Sequence, residues 1–220
     1  RFLEKFGFPS KKKYKKNLIW FHGASVGELL SIMPLLNYYD KDKNIDQILV
    51  TSSTVSSSKV FSKFKYNKVI HQFYPLDHFF FTQKFLNNWK PDIAIFIDSE
   101  IWPCMFKTIE SFKIPLVLLN ARITNKTFNR WMKIKKFSRF IFDKISVAYP
   151  QNLETKKFLE KLKVKKIDII GNLKFSETDN EINDTINNKL KSQLKNRKIW
   201  IASSTHAKEE VFCAKAHIEL

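Results

Sequence analysis

Glycine, cysteine and long apolar runs are all scarce in this chain. Only 4 of its 220 residues are glycine and 44% are hydrophobic, a balance that argues against a disordered polypeptide. There is no run of about 18 apolar residues, so we expect no membrane-spanning helix in this sequence. The two cysteines, Cys104 and Cys213, lie far apart and lack the spacing of metal ligands, which predicts a reduced, cytosolic chain.

Acidic residues are also in short supply, since 39 Lys and Arg face 21 Asp and Glu and the formal net charge is +18. Such a charge predicts attraction to polyanions: nucleic acid, anionic lipid or a phosphorylated substrate. Only 5 of the 39 basic residues are Arg, and the lysines are spread along the whole chain, whereas nucleic-acid-binding modules more often concentrate them on one element. Drift in base composition explains the charge equally well, so charge alone identifies no partner.

The chain does contain a regular alternation of short apolar runs with helical patterns. Several runs are apolar throughout, which is typical of a sheet covered on both faces, and the alternation with helices predicts a parallel α/β sheet. The predicted strands are 17–21, 47–52, 69–74, 92–98, 115–120, 145–149, 167–171 and 198–203. The predicted helices are about 28–39, 56–65, 78–89, 103–112, 127–141, 151–162 and 181–195.

Composition changes near residue 176, where the chain becomes polar. We therefore predict a first domain over 1–175, a linker with an exposed helix over 176–197, and the start of a second domain over 198–220. Because the chain begins with Arg1 and ends within an apparent helix, we expect it to be a fragment of a longer protein.

In a parallel α/β sheet, ligands bind beyond the carboxyl ends of the strands, so the residues that follow each predicted strand are candidates. "HGASVGE" (22–28) follows the first. Its Ser25 and Glu28 form the Ser-x-x-Glu pattern of a capping box, in which Glu28 is expected to bond back to the amide of Ser25. In the alternative, the Glu28 carboxylate faces the crevice as a general base, and Gly23 and Gly27 let a substrate approach the backbone closely.

Two further strand ends carry polar clusters. The hydroxyl-rich loop "TSSTVSSSK" (51–59) is either a helix cap or a phosphate site. "DSEIWP" (98–103) ends an apolar strand with Asp98 and Glu100, which are either caps or part of a site. Beside them Trp102 offers the flat apolar surface that sugar-binding clefts often have.

Candidate cationic and anion-binding residues lie farther along the chain. Arg122 in "NARIT" can bind a phosphate or a carboxylate, or form a salt bridge with the carboxylates of "DSEIWP". In "SSTHAKEE" (203–210), Ser204, Thr205 and His206 begin a helix, where they either cap it or bind an anion. The basic, aromatic segment 127–142 is expected to pack an apolar face on the sheet, with a membrane surface as the alternative partner. The predicted face is Trp131, Ile134, Phe137 and Ile141.

Taken together, "HGASVGE", "DSEIWP", "NARIT", "GNLKF" (171–175) and "IASSTHAKEE" (201–210) resemble, in order and approximate spacing, the motifs of the 3-deoxy-D-manno-octulosonic acid (Kdo) transferases. The resemblance runs along nearly the whole chain. It implies a GT-B glycosyltransferase with two Rossmann-like domains. This chain is then expected to be the acceptor half and the entry to the donor half, without the N-terminal anchor, and to be inactive alone.

The resemblance also implies roles for individual residues. Glu28 is the general base, Glu100 and Lys174 act on the transition state, and no metal or other cofactor is needed. The donor is CMP-Kdo and the acceptor is a phosphorylated lipid A precursor, at the cytoplasmic face of the inner membrane and with no nucleic acid as partner. Substrate-binding roles are expected for six residues: Ser25, Gly27, Arg122, Ser204, Thr205 and His206.

Two other hypotheses remain open. One is a GT-B enzyme that uses a different nucleotide sugar. The other is a basic α/β module that binds nucleic acid without catalysis, for which binding is expected to depend steeply on salt and not on Glu28.

Overall fold

The computed structural model describes residues 1–173 except 12 and 14–16, together with 192, 195, 201–203 and 205–219. The chain divides into two compact units, Arg1–Thr178 and Asp179–Leu220. The predicted linker at 176–197 lies outside the described residues apart from 192 and 195, so the predicted division into domains stays a prediction.

Six parallel strands form the sheet of the first unit, in the spatial order β3-β2-β1-β4-β5-β6. At the centre, Trp20 of β1 lies opposite Leu49 of β2 on one side and Ala94 of β4 on the other. This arrangement confirms the predicted α/β class with a Rossmann-like parallel sheet. The strands are β1 (Leu18–His22), β2 (Gln47–Ser52), β3 (Val69–Phe73), β4 (Ile93–Ile97), β5 (Leu116–Ala121) and β6 (Val147–Pro150).

Helices cover both faces of this sheet. Along β1, Leu18 and Trp20 belong to the core on one face, and Ile19 and Phe21 belong to the core on the other. With both faces buried, no position of the strand favours a polar residue, which is why the run is apolar throughout. The helices of the first unit are α1 (Val26–Ser31), α2 (Met33–Lys41), α3 (Val55–Phe61), α4 (Phe79–Trp89), α5 (Pro103–Ser111), α6 (Asn125–Lys133), α7 (Lys135–Phe142) and α8 (Leu153–Lys161), after a 3-10 helix at Phe2–Phe6. The described part of the second unit contains α9 (Glu209–Glu219).

Side-chain caps fix where several helices begin. The Thr54 hydroxyl accepts the backbone N–H of Ser57 at 3.1 Å, so the hydroxyl-rich loop after β2 serves as a cap for α3. The side chain of Trp102, which precedes helix α5, makes no capping hydrogen bond. Instead the Asp77 carboxylate accepts the N–H groups of Cys104 and Met105 at 3.1 and 2.8 Å, where the helix dipole favours a negative charge.

The predicted helix at 28–39 is two helices. Ile32 has φ −98° and ψ 0°, and Pro34 lies in the first turn of α2. Proline has no N–H to continue the hydrogen-bond ladder of α1, so α1 ends and α2 begins in a new direction.

The predicted helix at 127–141 is also broken, at Ile134, whose φ is −116° and ψ is 47°. The Ser138 hydroxyl donates to the carbonyl oxygens of Trp131 and Ile134 across the break. The single apolar face predicted for this segment is therefore wrong, because Ile141 is buried whereas Ile134 and Phe137 are 51% and 46% exposed.

The predicted strand at 167–171 is not a strand. Ile167 forms an isolated parallel bridge with Ala148 of β6, and Ile169 and Ile170 are exposed rather than paired. In the strand predicted at 198–203, residues 198–200 lie outside the described residues, and 201–203 have no regular secondary structure. The helix predicted at 181–195 also lies outside the described residues, apart from 192 and 195.

Candidate active site

The candidate site lies where β1 and β4 meet. Helices α1 and α2, which follow β1, pack on one face of the sheet, and α5, which follows β4, packs on the other. The chain therefore leaves these two neighbouring strands in opposite directions and opens a crevice beyond their carboxyl ends. "HGASVGE" and "DSEIWP" both border this crevice.

Glu28 is held by three contacts at the start of α1. Its Oε2 accepts the backbone N–H of Ala24 at 2.7 Å, and its Oε1 accepts the Ser25 hydroxyl at 2.8 Å. The Ser25 oxygen in turn accepts the backbone N–H of Glu28 at 3.3 Å. The capping box thus forms, but the carboxylate bonds the amide of Ala24 rather than that of Ser25, the partner expected from the sequence.

Burial raises the pKa of Glu28 above its ordinary value of 4.5, although the hydrogen bonds from Ser25 and Ala24 act in the opposite direction. The negative charges of Glu100 and Asp98 also raise this pKa. The environment therefore makes Glu28 a stronger base than a free glutamate.

The two glycines of "HGASVGE" differ in what surrounds them. A Cβ at Gly23 would lie 3.1 Å from Cβ and 3.5 Å from Oε2 of Glu28, so a larger residue there would push the carboxylate aside. A Cβ at Gly27 would meet no atom within 4 Å, because this glycine is exposed at the mouth of the crevice. Gly23 is required by packing against Glu28, whereas Gly27 leaves open space next to it.

A cleft of about 460 Å³ opens in front of Glu28. Asp98 and Arg122, whose backbones are joined by a hydrogen bond from the Arg122 N–H to the Asp98 carbonyl at 3.3 Å, both line it, so the cleft combines carboxylates with an exposed guanidinium. Asp98 has a φ of 60°, a left-handed conformation uncommon for a non-glycine residue and frequent at functional sites. The lining residues are Ser25, Gly27, Glu28, Asp98, Ser99, Arg122, Thr124 and Thr127.

A second cleft, of about 550 Å³, shares Arg122 and Thr124 with the first. It is lined mainly by amide side chains, including Gln151 and Asn172. Next to Asn172, the backbone N–H of Leu173 donates to Oδ1 of Asn120 at 3.2 Å, at the end of β5. Arg122 therefore stands between two polar clefts and faces both.

Glu100 is placed differently from Glu28. Its side chain is 14% exposed and lies outside the lining of the first cleft. Its Oε2 accepts the indole N–H of Trp102 at 2.8 Å and lies 3.3 Å from Nε2 of His22. Trp102, expected to offer a flat surface to a sugar, is partly buried against the core and donates its indole N–H to Glu100.

The remaining predicted site residues lie outside the described residues or in the second unit. Lys174 and Ser204 lie outside the described residues. In the second unit, the Thr205 hydroxyl donates to Glu210 at 2.8 Å, and the backbone N–H of His206 donates to Glu209 at 2.8 Å. Both contacts tie this loop to the start of α9, and the predicted donor-binding roles of these residues stay predictions.

Sequence reasoning missed two kinds of residue. Thr124 and Thr127 line the cleft at the start of α6, where the Thr124 hydroxyl also caps the helix by accepting the backbone N–H of Thr127. His22 lies beside Glu100, and its ring stacks on the core residue Tyr74 with ring centroids 3.8 Å apart. His22 was within reach of the sequence argument, because it is the polar residue that ends β1.

Two searches of the described residues were negative. They contain no group of three or more His, Cys, Asp or Glu side chains arranged to hold a metal ion. None of the helices that the structure describes combines the length and apolar character needed to cross a membrane.

Comparison with known proteins places the chain in a family. Residues 1–177 match the family model described as 3-deoxy-D-manno-octulosonic-acid transferase (kdotransferase). The 3-deoxy-D-manno-octulosonic acid transferase of Rickettsia felis is 38% identical over 205 residues, which cover 92% of this chain and 43% of the relative. That of Haemophilus influenzae is 30% identical over 221 residues, covering 99% and 52% respectively. The chain spans about half the length of the curated relatives it matches.

Among solved structures, the UDP-GlcNAc 2-epimerase of Neisseria meningitidis, bound to UDP-GlcNAc, superposes with a TM-score of 0.52 at 14% identity. The match covers 72% of this chain and 47% of the epimerase, and it bears on the fold alone. Membership rests instead on the family model, which matches most of the chain and includes both motifs that border the crevice. The chain belongs to the 3-deoxy-D-manno-octulosonic acid (Kdo) transferase family.

Proposed function

We propose that the protein containing this chain transfers Kdo from CMP-Kdo to a hydroxyl group of a phosphorylated lipid A precursor, with Glu28 as the general base. The observation that carries this proposal is the position of the Glu28 carboxylate. It lies at the β1–β4 crevice, beside open space at Gly27, with a pKa raised by burial. In this proposal the protein is a GT-B glycosyltransferase and this chain is its acceptor side.

Glu28 removes the proton from the acceptor hydroxyl as that oxygen attacks the anomeric carbon of Kdo. The bond from this carbon to the CMP phosphate oxygen breaks, and CMP leaves as an anion. The reacting sugar becomes cation-like on the way, so a nearby carboxylate such as Glu100 stabilises it electrostatically. Lys174, Ser204, Thr205 and His206 are proposed to act on the donor side.

Arg122 is proposed to hold the acceptor. A guanidinium binds phosphate through two parallel N–H donors, and this one is exposed where two polar clefts join. The acceptor carries phosphate, so an arginine that lines the same cleft as Glu28 is suited to bind it.

The acceptor is a lipid, and α7 offers a surface suited to a membrane. Ile134, Phe137 and Phe140 are 51%, 46% and 46% exposed. The lysines at 133, 135 and 136 are also exposed beside them. Exposed aromatic side chains flanked by cations favour an anionic bilayer interface, and α6, which leads into α7, lines the cleft. We propose that this face rests on the cytoplasmic face of the inner membrane.

The test uses the full-length parent protein, incubated with CMP-Kdo and the lipid A precursor, with the product followed by mass spectrometry. Wild type is expected to add Kdo. Glu28→Gln is expected to lose about two to four orders of magnitude in rate, the usual contribution of a general base. Other CMP-sugars and UDP-sugars are offered in parallel to test a different donor.

The Glu28→Gln substitution also weakens a helix cap, so a control must show what the loss of a cap alone does to the rate. Thr54→Ala is this control, because it removes the cap of the neighbouring helix α3. This variant is expected to cost about 1 kcal/mol of stability with the rate unchanged. Equal activity of wild type and Glu28→Gln would show that Glu28 is only a cap. Transfer from another nucleotide sugar and not from CMP-Kdo would overturn the donor assignment.

A further inference from the structure

His22 is a buried imidazole beside a site carboxylate. Its side chain is 0% exposed, its ring stacks on Tyr74, and its Nε2 lies 3.3 Å from Oε2 of Glu100. Trp102 donates its indole N–H to the same oxygen at 2.8 Å. Among the described residues, Oε1 of Glu100 has no hydrogen-bonding partner. The ring nitrogens Nε2 of His22 and Nε1 of Trp102 therefore both face Oε2 of the Glu100 carboxylate.

Two oxygens of Thr51 face the opposite side of the His22 ring. Nδ1 lies 3.0 Å from the Thr51 hydroxyl oxygen and 3.2 Å from the Thr51 carbonyl oxygen. The carbonyl only accepts, whereas the hydroxyl accepts the indole N–H of Trp20 at 2.9 Å and has both Nδ1 and the carbonyl oxygen of Phe21 within reach of its own proton. Thr51 therefore accommodates a proton on either ring nitrogen. The Glu100 carboxylate favours a proton on Nε2, because a neutral ring protonated on Nδ1 would place a lone pair against it.

Burial favours the neutral ring. It lowers the pKa of His22 below its ordinary value of 6.5, against the opposing effect of the neighbouring Glu100 carboxylate. A neutral His22 orients the carboxylate without neutralising its charge. Nε2 lies 3.3 Å from Oε2 but forms no hydrogen bond with any partner in the described part of the chain, and catalytic contacts of this kind commonly tighten when substrate binds.

We propose that His22 is a positioning residue that holds Glu100 in its working orientation by donating from Nε2. The proposal rests on the catalytic role proposed above for Glu100. In this proposal His22 touches neither the sugar donor nor the sugar acceptor. It acts only through the Glu100 carboxylate.

The experiment is a double-mutant cycle in the full-length enzyme, with kcat and KM measured at saturating CMP-Kdo. The single variants are His22→Phe, which keeps a ring to stack on Tyr74 but removes the donor, and Glu100→Ala. A hydrogen bond to a charged group predicts that His22→Phe lowers kcat about tenfold or more, with little change in KM. In the Glu100→Ala background the same change is expected to cost nothing further, because groups that act as a unit are not additive.

Two further variants separate positioning from folding. His22→Gln places an amide N–H near the position of Nε2 and is expected to recover part of kcat. Tyr74→Phe keeps the stacked ring and removes a buried hydroxyl that has no hydrogen-bonding partner in the described part of the chain. It is expected to leave kcat unchanged. Thermal unfolding of each variant reports whether it folds. If His22→Phe does not fold, the double-mutant cycle is measured with His22→Gln in its place.

The outcomes are distinguishable. A loss at His22 that vanishes without Glu100 supports the proposal. An equal loss in both backgrounds, or none in either, overturns it while leaving the proposed function standing. A Glu100→Ala variant as active as wild type overturns the role of Glu100 itself, and the positioning role with it.

Discussion

The Oε2 atom of Glu28 lies 2.7 Å from the backbone nitrogen of Ala24 and accepts its N–H. This contact closes the turn between β1 and α1 and fixes the carboxylate at the edge of the cleft. The sequence left open whether Glu28 is a cap or a base, and the geometry makes the two roles compatible, because the capping contacts are what hold the carboxylate toward the cleft.

The pH dependence of the reaction tests the environment of Glu28. The base must be ionised to act, so kcat/KM is expected to fall on the acidic side as pH drops through the pKa of Glu28, which burial holds above 4.5. Asp98 raises the same pKa by its negative charge, so Asp98→Asn is expected to move the acidic limb to lower pH. Asparagine tolerates the left-handed backbone found at this position.

The control for this measurement is Glu160→Gln, which removes an exposed carboxylate from α8, outside both clefts. Its pH–rate profile is expected to match that of wild type. An acidic limb that stays in place or moves upward in Asp98→Asn would contradict the assignment of the limb to Glu28.

Alanine substitutions at the two glycines of "HGASVGE" are expected to have different effects. Gly23→Ala places a methyl group 3.1 Å from Cβ of Glu28, so it is expected to displace the carboxylate and lower kcat about tenfold or more. Gly27→Ala meets no atom within 4 Å. It is expected to raise stability by about 0.5–1 kcal/mol, because alanine is the better helix residue, while raising KM for the acceptor. Denaturant unfolding and steady-state kinetics of both variants provide the check, and loss of stability in Gly27→Ala would argue against open space there.

The strands could be predicted because each one is encoded by a short continuous run of apolar residues in the sequence. A run such as β2 is apolar throughout since both faces of the sheet are buried, and all six strands of the sheet correspond to predicted runs. The breaks at Ile32 and Ile134 were missed because the apolar period continues across them. The false strand at 167–171 is apolar, but only Ile167 reaches β6.

Part of the site followed from the sequence as well. The rule that ligands bind at strand ends located Glu28, Asp98 and Glu100 at one edge of the sheet. It could not tell which carboxylate faces the cleft, because the left-handed φ of 60° at Asp98 redirects the chain there, so Asp98 lines the cleft and Glu100 turns toward His22. That choice depends on contacts between distant segments, which no local pattern encodes.

Substitution of Arg122 tests its proposed contact with the acceptor phosphate. Arg122→Gln is expected to raise KM for the acceptor about tenfold with little change in kcat, since a charge-assisted contact made equally in the ground and transition states affects binding alone. Arg122→Lys keeps the charge but lacks the two parallel donors and is expected to recover only part of the loss. Lys107→Gln removes one charge from an exposed site on α5 and should leave KM unchanged. Equal effects of Arg122→Gln and Lys107→Gln would point to overall charge instead of a specific contact.

Removal of the exposed aromatics of α7 tests the proposed membrane face. The double substitution Phe137→Ser/Phe140→Ser is expected to weaken sedimentation of the full-length protein with vesicles that contain phosphatidylglycerol, because both rings are 46% exposed and lie among lysines. Binding to pure phosphatidylcholine vesicles is expected to be weaker for wild type, and added salt is expected to reduce the difference between the two lipids. The matched control is Tyr38→Ser, which removes an aromatic side chain 67% exposed on α2. If the double variant sediments as wild type does while Tyr38→Ser does not, the membrane face lies on α2 and not on α7.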